Sequence, residues 1–210
     1  MSNSWNLMQY FDMGGIFMWP LLVFSIFTVG IFLERFIYLT IHELNPNKIR
    51  NHLLDLSYSR SIDEAKRYLD QLKSRNISGR ILKEVFKNAP YGEHRMEKAV
   101  EAEGQEQVRK LENGFNFLSA LTSIAPLTGF LGTVSGMIGA FRSIAEASEV
   151  NAQLVANGIY EALMTTVFGL IIAIIALVGY NLLAHRVDTF TAEINKLSSD
   201  IIGILSTNED

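Results

Sequence analysis

The hydrophobic pattern of this chain changes character three times, and each change defines a class of element. Gly14 to Leu33, Phe115 to Phe141 and Ala162 to Ala184 are runs of about 20, 27 and 23 residues that carry no charge. Each is long enough, at about 1.5 Å per residue, to cross a ~30 Å hydrocarbon layer. Three buried helices of that length and purity would be hard to accommodate in one small soluble domain, so the runs predict three membrane-spanning helices. Between the first and second runs the apolar residues recur at helical spacing among polar ones. Asn45-Pro46 followed by Ile49, Leu53 and Leu56 reads as an N-cap, a proline at the first helical position and an apolar face. Ser61-Ile-Asp-Glu64 has the form of a capping box ahead of the stripe Ile62, Ala65, Leu69 and Leu72. Ile81, Leu82, Val85 and Phe86 form a third face, ended by Pro90 and Gly92. From Glu93 the stripe Met96, Val100, Val108, Leu111, Phe115 and Leu118 predicts one long helix running into the second span. Val187, Phe190, Ile194, Leu197 and Ile201 predict that the third span also continues past its membrane segment, beside the second.

The expected fold class is therefore an all-α integral membrane protein with three transmembrane helices and long cytoplasmic helical extensions. Its organisation would be a short outer-surface segment over 1–13, a first transmembrane helix over 14–41, and a cytoplasmic helical region over 42–114. A hairpin of the second and third transmembrane helices would follow over 115–185, then a cytoplasmic C-terminal helix and tail over 186–210. In the first segment Trp5, Met8 and Phe11 fit either a short helix on the membrane surface or an unanchored terminus.

Charge supplies the orientation. Residues 1–34 contain no Lys or Arg, whereas Arg35 to Lys110 is rich in both, and basic loops stay on the cytoplasmic side. The N-terminus is expected outside (periplasmic) and the C-terminus, with Arg186 and Lys196, inside. A cleaved signal peptide would need a basic start, which is missing, so the first run is expected to be retained. A net charge of −4 argues against a nucleic-acid partner. Without a single cysteine the chain can form no disulfide, thiolate metal site or cysteine nucleophile.

The candidate chemistry lies in the second and third runs. Gly132, Gly136 and Ala140 are spaced four apart, and Gly129 lies one turn from Thr133. Small residues on one face let membrane helices approach closely, within a subunit or between neighbours. Pro126 removes one helix donor. Thr128, Thr133, Ser135, Thr165 and Thr166 are the hydroxyls considered, and singly each could simply bond back to its own helix. Depth changes that weighting: Thr133 is about 31 Å from Glu112 and Thr166 about 30 Å from Arg186, counted along each helix. The two should share one height. Glu161 is the one Asp, Glu, Lys, Arg or His between Glu149 and His185, about 37 Å from Arg186 by the same count. It fits an entrance to an ion path or a carboxylate at a wet interface equally well. No span has a titratable group near its middle, so a proton carrier would have to come from another chain, because a hydroxyl can relay a proton but not hold one at neutral pH. There is no metal-ligand cluster, phosphate loop or nucleophile–base pair, and no cofactor is expected.

These stretches resemble the MotA/TolQ/ExbB proton channel family, most closely its three-span ExbB and TolQ branch. Ala125-Pro-Leu-Thr-Gly-Phe-Leu-Gly-Thr-Val-Ser-Gly-Met-Ile138 resembles the family pattern APxxGLxGTVxGMI, and Gly158-Ile-Tyr-Glu-Ala-Leu-Met-Thr-Thr-Val-Phe-Gly-Leu170 resembles GIxEALxxTxxGL. Tyr180-Asn181, Glu34-Arg35 and Gly15 to Pro20 extend the likeness over nearly the whole chain. Ile175 departs from a frequent family proline, and Thr128 stands where larger or apolar residues are commoner. The resemblance implies pore-facing roles for Thr133 and Thr166, and for Glu161 the place of the acid in GIxEAL. It also implies a bacterial inner-membrane ring of five copies around two helices of a single-span ExbD/TolR-like partner, whose membrane aspartate binds the proton. Membrane lipids surround such a ring, and a TonB-like or TolA-like protein is what it drives. The absence of a polar cage in the spans favours protons over sodium. A motility stator, or a structural scaffold that conducts nothing, are the alternatives. The scaffold would tolerate alanine at Thr133, Thr166 and Glu161.

Overall fold

The computed structural model describes residues 14–59, 61–73, 75–146 and 152–207. Trp5, Met8 and Phe11 lie outside the described residues. Among those described there are seven α-helices and no strand: α1 (Met18–Ile41), α2 (Asn47–Tyr58), α3 (Ile62–Gln71), α4 (Ile77–Asn88), α5 (Glu93–Leu111), α6 (Phe115–Glu146) and α7 (Ala152–Ser206). A 3₁₀ turn, Ala89–Tyr91, links α4 to α5. Helices α1, α6 and α7 are long and apolar enough to cross a membrane. The chain divides into two compact units, residues 1–33 with 114–181, and residues 34–113 with 182–210.

The first unit contains the spans. Its core is small: Met18 and Leu21 of α1 pack with Ala125 of α6 and Ile172 and Ala173 of α7, flanked by Phe24 and Phe168. Outside that core Trp19, Ile26, Phe27, Phe130, Ile138, Phe141, Ile174 and Leu177 are exposed, the reverse of a water-soluble surface. Such a surface needs hydrocarbon or a neighbouring chain to cover it. Helices α6 and α7 run antiparallel, joined by a seam in which Ala125 meets Gly169, Gly129 meets Thr165 and Thr166, Gly136 meets Ala162, and Ala140 meets Gly158. The Phe115 and Tyr180 rings close one end edge to face, with centroids 6.1 Å apart. Helix α6 continues across Pro126.

The second unit is packed as the amphipathic stripes predict. Ile49, Leu53, Ala65, Leu69, Ile81, Leu82, Val85, Phe86, Met96 and Val100 are buried, as are Val187, Phe190, Ile194, Leu197 and Ile201 on the end of α7. Arg50 donates to Asp200 at 3.0 Å, tying α2 to α7. Arg35, only 9 % exposed, pairs with Glu34, donates to the Lys110 carbonyl at 3.1 Å and lies over the Tyr38 ring at 4.8 Å. A cation at the last carbonyls of α5 is favoured by the helix dipole.

Three local expectations need correction. The stripe from Met96 to Leu118 is not one helix: α5 ends at Leu111, and Gly114, with φ +85°, breaks the chain before α6. Asn113-Gly114 is a turn dipeptide, and glycine takes a left-handed conformation without penalty from a Cβ. Ser61 begins α3 but makes no capping hydrogen bond, so the Ser61–Glu64 box supplies only acidic residues in the first turn. Pro46, expected as the first helical residue, is the N-cap of α2, so the helix begins one residue later than expected, and the Asn45 side chain accepts from the Asn47 amide at 3.0 Å.

Candidate functional site

The seam of α6 and α7 carries the candidate chemistry, and glycine makes it possible. A Cβ on Gly129 would lie 2.7 Å from the Thr165 carbonyl oxygen and 3.0 Å from the Thr166 Cα. One on Gly169 would lie 2.6 Å from the Ala125 carbonyl oxygen, and one on Gly136 2.9 Å from the Ala162 Cβ. The two backbones are thus in contact wherever small residues stack. The stripe Gly129, Gly132, Gly136 and Ala140 faces α7 of the same chain along the seam. Of the two uses open to such a face, within a subunit or between neighbours, this one is occupied inside the subunit.

Close approach brings Thr133 and Thr166 together. Their Oγ1 atoms are 2.5 Å apart, and each hydroxyl also reaches the Gly129 carbonyl oxygen at 3.1 Å. Thr165, 1 % exposed, lies 3.1 Å from the same oxygen but 2.7 Å from the Ala162 carbonyl of its own helix, the shorter of its two bonds. Two protons then serve Thr133 and Thr166: one lies between the two oxygens, and the other is donated to Gly129. Either threonine can be the inner donor. Exchanging the two arrangements reverses the donor direction without moving a heavy atom. Both side chains are half-buried, so the pair remains reachable from one side. A neutral acid arriving there could donate to a threonine lone pair. A carboxylate could accept from the hydroxyl that turns away from Gly129.

Glu161 stands five residues from Thr166, about 7.5 Å along α7. It does not touch the pair. Its carboxylate packs against the backbone of Gly15, where a Cβ would overlap Oε1 and where φ is +63°, so two separate constraints call for glycine. Sequence reading assigned no such role to Gly15, because nothing local marks it as the neighbour of a residue nearly 150 positions away. The Gly129 carbonyl was missed for a similar reason, since a backbone acceptor has no residue signature. Thr165, named with the other hydroxyls, is turned about 100° from Thr166 on the helix, yet its hydroxyl also comes within 3.1 Å of the Gly129 oxygen while bonding its own helix more closely.

Comparison with known proteins shows the family. The family model described as the MotA/TolQ/ExbB proton channel family matches residues 73–196, from before α4 to the later part of α7. The chain belongs to that family. It is similar to the Biopolymer transport protein ExbB of Salmonella typhimurium, 26 % identical over 222 aligned positions, covering 99 % of this chain and 88 % of the relative. It is 30 % identical over 199 positions to the Putative biopolymer transport protein ExbB-like 1 of Synechocystis sp., covering 89 % and 76 %. It is also 36 % identical over 99 positions to the Tol-Pal system protein TolQ of Haemophilus influenzae, covering 47 % and 43 %. These relatives place it on the ExbB/TolQ branch, as a multi-pass membrane protein of a proton-channel family and not of an enzyme family.

Proposed function

We propose that this chain is the ring subunit of a proton-driven motor of the bacterial inner membrane. Five copies surround two helices of an ExbD/TolR-like single-span partner, and a membrane aspartate on each partner helix takes up and releases the proton beside Thr133 and Thr166. The released energy moves the partner against a TonB-like or TolA-like protein of the cell envelope. The periplasmic end of the ring is the Glu161 end, and the basic helices α2 to α5 are cytoplasmic.

The observation that carries this reading is the Thr133–Thr166 pair, two hydroxyls 2.5 Å apart on antiparallel spans with exchangeable donor direction. Neither span supplies an acid or base at that height. A relay without a carrier calls for a second chain that brings the carrier. The positive-inside distribution supports the orientation. The names of the relatives, biopolymer transport and Tol-Pal, support an envelope process.

The test is purification with the adjacent single-span gene product, reconstitution, and proton flux with Thr133→Val and Thr166→Val. Valine keeps the shape and removes the hydroxyl, so flux should fail while the complex still assembles. Normal flux through both assembled variants would leave only a scaffold role.

A further inference from the structure

A different chemistry lies where two of the apolar runs end. The last turn of α1, the start of α2 and the part of α7 just past its uncharged run enclose an open cleft of about 510 Å³, all of it in the second unit. Arg186, Thr189 and Glu193 line it from α7, and Leu182 precedes them on the same face of the helix, since the four positions are spaced by four, three and four residues. Leu39 and Thr40 line it from α1, with Phe36 one turn before Thr40.

The charged groups of the cleft divide into a pair that is satisfied and two that are not. Lys48 lies 3.7 Å from Glu43, which also accepts from the Asn76 side chain at 3.2 Å. Of the two histidines, His42 donates from Nδ1 to the Tyr38 carbonyl at 2.9 Å, and His185 is exposed at the rim. Among the described residues Arg186 has no carboxylate partner and Glu193 no cationic one. Arg186 is nevertheless held in place: it donates to Thr40 Oγ1 at 3.4 Å and stands 5.9 Å from the centre of the Phe36 ring. That uses one of five guanidinium N–H groups. Thr189 gives its proton to the His185 carbonyl at 2.8 Å, so its oxygen can only accept from anything in the cleft. Glu193, about 10.5 Å beyond Arg186 along the axis, is likewise an acceptor.

Outward from the apolar runs, the order is therefore exposed hydrocarbon at Phe36 and Leu182, then a cation with donors to spare, then acceptors ending in a carboxylate. A phospholipid with a primary amine presents the complementary order, acyl chains first, then phosphate, then ammonium. We propose that this cleft binds phosphatidylethanolamine, with the Arg186 guanidinium on the phosphate and with Glu193 and Thr189 Oγ1 accepting from the ammonium. The guanidinium fork matches phosphate oxygens, and a hydrogen bond between an ammonium and a carboxylate is about twice as strong as one between neutral groups. Phosphatidylglycerol offers Glu193 only a neutral hydroxyl, and the quaternary nitrogen of phosphatidylcholine has no proton to donate. The assignment is independent of the ion path, needing only that α1 and the uncharged run of α7 end at a membrane surface.

The full chain, purified in detergent, should be offered equimolar phosphatidylethanolamine, phosphatidylglycerol and phosphatidylcholine, and the lipids it retains read by native mass spectrometry. It should keep phosphatidylethanolamine over each of the others by about fivefold, the upper end for one partly exposed ion pair. Glu193→Lys exchanges the acceptor for a cation and should turn the preference to phosphatidylglycerol, whereas Arg186→Gln should lower retention of all three. Lys196→Gln, at an exposed position of α7 outside the cleft, removes the same charge as Arg186→Gln and should change nothing. Equal retention of the three lipids by the unaltered chain would overturn the proposal, as would full retention by Arg186→Gln or an unchanged preference in Glu193→Lys. An effect of Lys196→Gln equal to that of Arg186→Gln would also overturn it, by reducing the selectivity to net charge. Should Arg186→Gln fail to fold, the reversal in Glu193→Lys decides the matter alone.

Discussion

The seam makes one prediction that separates contact from propensity. Gly129→Ala and Gly139→Ala place the same methyl on the same helix, and each should gain about 0.8–1 kcal/mol of helix propensity. Among the described residues only the first meets an obstacle. At Gly129 the methyl would lie 2.7 Å from the Thr165 carbonyl oxygen and 3.3 Å from its carbon, both backbone atoms that cannot rotate away. Ordinary contact begins near 3.4 Å, so α7 must retreat by more than half an ångström. Overpacking of that kind costs about 1–3 kcal/mol. The retreat also stretches the hydroxyl bonds to the Gly129 carbonyl, each worth about 0.6 kcal/mol in a membrane helix interface. The two variants should therefore differ by about 2–3 kcal/mol, with Gly139→Ala the more stable. At roughly 2–4 °C per kcal/mol for a chain of this size, thermal melting in detergent should separate them by about 5–10 °C. Melting temperatures within about 1 °C of each other would mean that α6 and α7 are not in backbone contact at Gly129, and the pairing of Thr133 with Thr166 would lose its basis.

Two further predictions follow from single groups. Thr28 on α1 is 1 % exposed and its hydroxyl has no hydrogen-bond partner among the described residues, so Thr28→Val should raise the melting temperature, the gain being about 1–3 kcal/mol of recovered desolvation; an unchanged or lower value would show that the hydroxyl is satisfied. Glu106 on α5 accepts from Lys110 and from Arg109, which holds its carboxyl below the ordinary 4.5. A lowered pKa means the interaction is present at neutral pH and lost as pH falls through the folded-state value. A carboxyl-carbon NMR titration should show the midpoint rising toward the ordinary value in Lys110→Ala, and a midpoint indifferent to that change would refute the pairing.

Much of this architecture was readable because membrane and water impose different periodicities. Uncharged runs located α1, α6 and α7, and the stripes of α4 and of the end of α7 are buried as their spacing required. Thr133 and Thr166 could be matched in height because rise per residue is constant and antiparallel spans share two membrane faces. What the pattern could not specify was which surface a small-residue stripe would serve, since contacts within and between subunits demand the same glycines. The break at Gly114 was hidden by apolar positions that keep helical phase on both sides of it, although Asn113-Gly114 carried the signal. Asn76 was overlooked in the same way. Its side chain accepts from the Gly79 amide at 2.8 Å and starts α4 four residues before the apolar face at Ile81. Gly15, the Gly129 carbonyl and the cleft depend on chain segments far apart in sequence, which no local pattern encodes.

The packing and the chemistry of the seam are consequences of one residue type. Because Gly129 has no Cβ, α7 comes near enough for hydroxyls from both helices to reach a single carbonyl, and the same approach sets Thr133 against Thr166. A pair held this way needs no rotamer strain to change its donor, since the Gly129 oxygen stays available to whichever threonine is released. The arrangement is polar yet uncharged, so it can stand in a hydrocarbon-depth seam without the cost of a buried ion. A carboxyl group built into the same chain would bear that cost at all times and could not move. Supplied by a separate helix, it can be charged at one position and neutral at another, and a change in position between those states is how a proton gradient could be turned into motion. On the proposed path, the absence of a titratable group at this depth is therefore a requirement of the mechanism, with binding assigned to the moving partner and relay to the fixed ring.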